Sequence, residues 1–224
     1  MIGWSTSYNT MEWIEYLDAL DKQLILALNY DGGPLQDQLW YFVAGRFTWS
    51  PLYCFLLWLL YRQCRPLSIN GRHFVLILLV TVLVVVLSDQ IASGLIKHWV
   101  ERPRPSRADS GISDFIHIVN NYRGGHYGFV SSHASNTWGI ALWFILLWQK
   151  SGRFRPLRNG MGTLFAVLIV YAMLNCYSRI YLGVHYPGDI LGGLIVGTAV
   201  AIFCYYLVYR NAKKWLKIDK PSTT

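Results

Sequence analysis

Apolar residues along this chain fall into long blocks rather than the short alternations of a soluble domain. Five blocks approach the roughly 20 apolar residues a helix needs to cross a bilayer. They are Leu39–Tyr61, Phe74–Ile96, Ser132–Trp148, Met161–Tyr177 and Ile190–Tyr209, the third and fourth reaching that length only with their flanks. Upstream, Trp13, Leu17, Leu20, Leu24 and Leu28 recur at helical spacing, while Glu12, Glu15, Asp18, Asp21 and Lys22 occupy other faces. A segment so charged does not span; it reads as an amphipathic helix lying at the interface. The pattern predicts an all-α fold, a polytopic membrane helical bundle of five transmembrane helices with an N-terminal amphipathic interfacial helix. The expected division is an interfacial segment at 1–38, a transmembrane domain at 39–210 and a basic tail at 211–224.

Composition agrees: 54% of the 224 residues are hydrophobic, 16% aromatic and only 14% charged. The formal charge of +8 would admit a nucleic-acid partner, but its distribution points to a membrane instead. Arg62, Arg65 and Arg72 separate the first two spans, Lys150, Arg153, Arg155 and Arg158 the third and fourth, and Arg210, Lys213, Lys214, Lys217 and Lys220 follow the fifth. These alternate connections lie on one side and hold twelve of the twenty Lys and Arg residues. By the positive-inside rule that side, with the C-terminus, is cytoplasmic. The connections 98–130 and 178–189 then share the outer side. The first still carries Arg102, Arg104, Arg107 and Arg123. Basic residues kept against the charge bias point to a bound anion. Cys54, Cys64, Cys176 and Cys204 show no metal-ligand spacing and read as packing residues. The N-terminus carries no pattern of a cleaved signal peptide.

Three clusters of reactive residue types sit at the outer ends of the spans. KHWVERPRP places Lys97 seven residues before Arg104–Pro105; FVSSHASN places Ser131, Ser132 and His133 at the start of the third span; SRIYLGVHYPGD carries Ser178, Arg179, His185 and Asp189. Taken singly, each has a structural use. Lys97 and Arg179 suit helix C-termini, where cations complement the dipole and snorkel. Ser131 and Ser132 suit an N-cap. Together they also suit a phosphoryl group, whose several charged oxygens need arginine forks, a lysine and the amides of a helix N-terminus. Two histidines can divide the chemistry: one attacks phosphorus as a neutral imidazole, and the other protonates the leaving oxygen. Asp189, four residues after His185, is placed to orient its ring. The carboxylates are too few and scattered for a two-metal site, so no metal and no cofactor is expected.

In order and spacing the clusters resemble the K-x6-RP, PSGH and SR-x5-H-x3-D signature of the type 2 phosphatidic acid phosphatase (PAP2) superfamily. The match covers roughly residues 97–189. Val130 and Ser132 stand where the family has proline and glycine. The resemblance implies a metal-independent phosphatase of the integral membrane lipid branch. It implies His185 as the nucleophile that becomes phosphohistidine, Asp189 as its orienting group, and His133 as acid and then base. Lys97, Arg104, Arg179, Ser131 and Ser132 would hold the phosphate. Arg102 is a further candidate phosphate contact, off the matching position. The expected partners are a lipid phosphate and the membrane. An outward-facing site in a bacterial cytoplasmic membrane ranks undecaprenyl diphosphate first among substrates. Phosphatidylglycerol phosphate, phosphatidic acid, lipid A and a lipid phosphotransferase reaction remain as alternatives. Asp89, deep in the second span, reads either as functional or, preferably, as a neutral carboxyl hydrogen-bonded between helices. His98, His117 and His126 read as solvated residues or contacts at the substrate entrance.

Overall fold

The computed structural model describes residues 5–45, 47–64, 71–150 and 160–215. Four of the five apolar blocks fall within continuous helical stretches, and the fifth divides between two helices. The order is α1 (Ser5–Leu28), α2 (Gly33–Val43), α3 (Ser50–Cys64), α4 (Gly71–Asp89), a π-helical stretch Gln90–Ile96, α5 (Lys97–Val100), α6 (Ser132–Lys150), α7 (Met161–Tyr181) and α8 (Pro187–Trp215). Among the described residues there is no strand. Among the described residues three helices are long and apolar enough to cross a bilayer: Phe74–Val100, Met161–Tyr181 and Pro187–Val208. The chain is an integral membrane protein. Much of the basic connections and tail that carry the orientation argument lies outside the described residues.

One predicted span is not continuous. The block Leu39–Tyr61 divides into α2 and α3. The break is held by Thr48 Oγ1 and Trp49 Nε1, which donate to the carbonyls of Phe42 and Val43. Pro51 then enters the first turn of α3, where its missing N–H costs nothing. Apolar content survives this break, so periodicity alone did not reveal it.

Helix α6 is the centre of the bundle, packing against α4, α7 and α8. Trp143, Phe144 and Trp148 are buried on it. Its polar first turns keep its hydropathy low, and those turns face protein. Lipid tails are as apolar as leucine, so close van der Waals contact and interhelical hydrogen bonds hold such helices together. Trp143 Nε1 donates to Thr81 of α4 at 3.0 Å, Trp138 Nε1 to Thr198 of α8 at 2.7 Å, and the Tyr53 and Tyr171 hydroxyls join α3 to α7 at 2.5 Å. The approach of α6 to α8 depends on absent side chains. A Cβ on Gly197 would lie 2.5 Å from the Ser135 carbonyl oxygen and 3.0 Å from Gly139 N. Gly193, four residues earlier, faces the Ser131 carbonyl in the same way.

The amphipathic reading of α1 holds, with a specific orientation. Trp13, Leu17, Leu20, Leu24 and Leu28 are all exposed, whereas Asp21 and Ile25 are buried against the protein. Asp18, Asp21 and Ile25 therefore face the bundle, Glu12 and Glu15 are exposed, and the apolar stripe is left for lipid. Asn29 fixes the end of α1 by donating to the carbonyls of His117, Ile180 and Tyr181. His117 and His126 are not merely solvated: the first is 2.8 Å from Asp37 of α2 and the second 2.9 Å from Asp109. His98 is exposed. Cys176 and Cys204 are buried as expected, but Cys54 is exposed on α3. Asp89 is half-buried and ends the α-helical part of the second span, where the π-helix begins.

If the α6–α8 contact holds the bundle, Gly197→Leu overpacks it at a cost of about 1–3 kcal/mol. Thermal unfolding in detergent should show a lowered midpoint. Gly162→Leu is the control, because a Cβ at Gly162 meets nothing within 4 Å, and it should leave the midpoint in place.

Candidate active site

Four helix ends meet at one end of the bundle. They are the C-terminal end of the α4–α5 helix, the N-terminus of α6, the C-terminus of α7 and the N-terminus of α8. Each end is built by a local device legible in its residues. Helix α7 closes in a Schellman motif: Val184 N donates to Arg179 O at 3.1 Å and Gly183 N to Ile180 O at 2.9 Å. Gly183 takes the left-handed φ of 65° that this motif requires. That turn redirects the chain so that His185 follows Arg179 into the same space. Helix α8 opens with Pro187 in its first turn and Asp189 two residues later. Asp189 Oδ2 reaches back to accept from Tyr186 N at 3.0 Å, half of a capping box. The same oxygen lies 3.2 Å from His185 Nδ1. A single carboxylate thus caps the helix and orients the imidazole.

His185 and Asp189 are 1% and 0% exposed. Burial holds the His185 imidazole well below its ordinary range, and the nearby charges of Arg104, Arg179, Lys97 and His133 push it further the same way. The ring is therefore neutral at neutral pH. With Nδ1 engaged by Asp189, Nε2 is the nitrogen available for attack.

The cations are fixed by neutral partners, so their charge is not cancelled. Lys97 Nζ donates to Ser132 Oγ at 2.7 Å and to Ser93 Oγ at 3.4 Å. The two serine hydroxyls are 2.6 Å apart. Arg104 is buried, its Nε donating to the Tyr127 carbonyl at 3.0 Å. Burial and the adjacent Arg179 push the Arg104 guanidinium down to about 10, still charged at neutral pH. Arg179 is 2% exposed and donates from Nη2 to the Tyr122 hydroxyl at 2.9 Å. Its Nε is buried with no hydrogen-bond acceptor among the described residues. A buried guanidinium donor left unsatisfied is costly, and a phosphate oxygen is the acceptor its geometry suits.

The serines of the α6 turn divide their roles. Ser131 is an N-cap: its Oγ accepts from Ala134 N at 3.4 Å, and its own N–H donates to the Asp189 carbonyl at 3.0 Å. Ser132, in place of the family's glycine, begins α6 without a positive φ and supplies the oxygen that holds Lys97. Val130 is buried, and the Phe129–Val130 peptide is cis. His133 is half-buried in the first turn of α6 and borders a cavity of about 570 Å³ between α3, α4, α6 and α7.

Comparison with known proteins fits this arrangement. The PAP2 superfamily model matches residues 74–213. The chain belongs to the PAP2 superfamily. It is 30% identical over 208 residues to the lipid A 4'-phosphatase of Bacteroides thetaiotaomicron, covering 93% of this chain and 85% of that protein. It is 32% identical over 210 residues to the lipid A 4'-phosphatase of Porphyromonas gingivalis, covering 93% and 81%. Its fold is similar to the crystal structure of a transmembrane PAP2-type phosphatidylglycerolphosphate phosphatase from Bacillus subtilis. The TM-score is 0.63 at 20% identity, over 92% of this chain and 90% of that one.

Within this PAP2 chain the geometry gathers all eight candidate residues at one end of the bundle. It changes the reading of the arginines in the connection 98–130. Arg107 Nη2 donates to the Gly124 carbonyl and Arg123 Nη1 to the Ser106 carbonyl, so both brace the loop. Arg102 faces carboxylates. Of the four, Arg104 alone stands with the candidate phosphate-binding residues. Backbone carbonyls exposed by an irregular loop compete for guanidinium donors, and charge counting does not register them. Reasoning from sequence missed Ser93 and Tyr122. Ser93 was legible as the residue four before Lys97, on the same helical face; Tyr122 gave no local signal. Among the described residues, one group of side chains has metal-ligand proximity, Asp31, Asp37 and His117. It contains none of the candidate catalytic residues.

A neutral His185 in the resting protein has a kinetic consequence. The acid limb of kcat/KM reports the free enzyme's base. Its midpoint should lie below the ordinary imidazole value of 6.5, with the neutral, active form dominant above it. A His185-dependent limb at or above that value in the pH–rate profile would contradict the assignment.

Proposed function

We propose that the protein is a lipid phosphatase that works through a phosphohistidine on His185. The observation that carries this reading is the buried His185–Asp189 pair set among Lys97, Arg104 and Arg179 at one end of an apolar bundle. The three cations and the α6 turn bind the phosphate oxygens and draw charge away from phosphorus. Nε2 of His185 attacks phosphorus as the bond to the lipid oxygen breaks, and His133 gives that oxygen its proton. Water then gives a proton to His133 and attacks phosphorus. The N–P bond breaks, inorganic phosphate leaves, and His185 returns to the neutral state. No step calls for a metal ion, so the proposed activity is metal-independent.

The cavity beside His133 supports a lipid substrate. It descends along Thr137, Ile140 and Phe144 of α6, with Leu56 of α3 and Val85 of α4 on its other walls. A headgroup at the site would leave its chain in an apolar slot at bilayer depth. The relatives that align over 93% of the chain are named lipid A 4'-phosphatases. This supports a phosphomonoester on a glycolipid of the lipid A type as the first substrate to test. Undecaprenyl diphosphate, ranked first from the sequence, becomes the second. The charge bias of the connections supports a site on the outer side of a bacterial cytoplasmic membrane, with the C-terminus cytoplasmic.

The test is phosphate release from detergent-solubilised lipid A, undecaprenyl diphosphate, phosphatidylglycerol phosphate and phosphatidic acid, at matched concentration and with a chelator present. Lipid A should be hydrolysed fastest, and the chelator should not slow the reaction. His185→Ala should lower the rate by about 10³-fold or more. Phosphate release by a folded His185→Ala protein at the parent rate, or its abolition by the chelator, would refute the mechanism. Label appearing on an acceptor lipid instead of as free phosphate would identify a phosphotransferase.

A further inference from the structure

Arg102 stands between the site and the N-terminal helix. Its Nη1 donates to Asp21 Oδ2 at 2.7 Å and to Asp189 Oδ1 at 3.2 Å, and its Nη2 donates to Asp18 Oδ1 at 2.7 Å. The guanidinium lies 3.9 Å from the centroid of the Tyr186 ring. Asp21 is itself buried, and its Oδ1 accepts from Gly188 N at 2.7 Å. Helix α1 therefore grips the Tyr186–Asp189 turn twice, once through the Gly188 amide and once through Arg102.

Three carboxylates around one guanidinium repel an incoming phosphate, so Arg102 is not placed as a phosphate ligand. What it does satisfy is Asp189. A fully buried carboxylate needs a countercharge and filled acceptor positions. The ion-pair partners of Asp189 among the described residues are Arg102 and His185, and His185 is held neutral. Arg102 thus supplies the formal positive charge. Oδ2 of Asp189 is occupied by His185 and Tyr186 N. Oδ1, the oxygen that sets the rotation of the carboxylate, is held by Arg102.

We propose that Arg102 is a positioning residue: anchored by Asp18 and Asp21 of α1, it fixes the Asp189 carboxylate that orients His185, so that the interfacial helix is part of the catalytic support. This rests on the proposed role of His185 as nucleophile. It assigns α1 a function beyond membrane contact. The face of α1 that its sequence marks as merely polar is the face that reaches the catalytic turn. Misplacing a nucleophile by about 1 Å costs on the order of 10²-fold in rate, and that loss falls on turnover rather than on phosphate binding.

The test uses the full-length protein in detergent and ¹⁸O-labelled inorganic phosphate. Reversible formation of a phosphohistidine from inorganic phosphate washes the label into water whatever the lipid. Arg102→Gln is expected to slow exchange at saturating phosphate by about 10²-fold. The phosphate concentration giving half-maximal exchange should stay within about threefold of the parent. Arg102→Lys, which keeps the charge, should recover about tenfold of the loss. Asp21→Asn can keep the acceptor for Gly188 while placing an amide NH2, which cannot accept, where the carboxylate oxygen anchored Arg102. It should lower exchange in the same direction, and its effect should vanish when Arg102 is already Gln. Parent-rate exchange by a folded Arg102→Gln protein would overturn the proposal. So would a loss confined to phosphate affinity, which would make Arg102 a phosphate ligand. His185→Ala separates the two readings: exchange at the parent rate in that variant removes the nucleophile assignment, whereas its loss alongside a fully active Arg102→Gln removes only the role of Arg102.

Discussion

The constraint on which the rest of this structure depends is the burial of one carboxylate. Asp189 has no exposure, and water cannot satisfy it. Its acceptors are filled by the N-cap amide of its own helix, the imidazole it orients, and a guanidinium from the long loop. Its backbone carbonyl accepts from Ser131 N, at the head of α6. The α7–α8 turn, the long loop and the head of α6 are thereby tied to one residue at the mouth of α8. Moving any of them would leave a charged or polar group unpaired at low dielectric, where such losses are largest.

Around that anchor the cations are arranged on the opposite principle. Lys97, Arg104 and Arg179 are held by serine hydroxyls, a backbone carbonyl and a tyrosine hydroxyl. Neutral acceptors fix their positions while preserving their field. Two buried guanidiniums and a half-buried lysine, none of them neutralised by these partners, favour a bound anion. That field also pushes His185 toward its neutral form, so the groups proposed to bind the phosphate are the ones that would prepare the proposed nucleophile. The close α6–α8 packing, made possible by Gly193 and Gly197, keeps His133 and the His185–Asp189 pair on facing helix ends.

Much of this was legible in the residues. Blocks of apolar residues marked α4, α6, α7 and α8, amphipathic spacing marked α1, and Pro187, Gly183 and Asp189 are the punctuation that a Schellman turn and a capped helix require. Lys97, Arg104, His133, Arg179, His185 and Asp189 sit at or beside helix ends whose register is local, which is why their spacing was enough to bring them to one end of the bundle as a candidate site. What could not be read is long-range. The division of Leu39–Tyr61 into α2 and α3 depends on bonds from Thr48 and Trp49 that leave hydropathy unchanged. The role of Arg102 depends on Asp18 and Asp21, more than eighty residues away, and no pattern within either segment announces the pairing. The replacement of glycine by Ser132 looked like a departure in backbone geometry. It is an added hydroxyl for Lys97, visible only once Ser93 and Lys97 are placed beside it.

The central claim is that phosphorus is transferred to His185 before it reaches water. Rapid quenching of the parent protein during turnover of a ³²P-labelled lipid phosphate, followed by peptide mapping, tests this most directly. The account predicts transient, acid-labile label on the peptide carrying His185, lost in His185→Ala. Turnover that proceeds with no protein-bound label at any time, or with label on another residue, would contradict it.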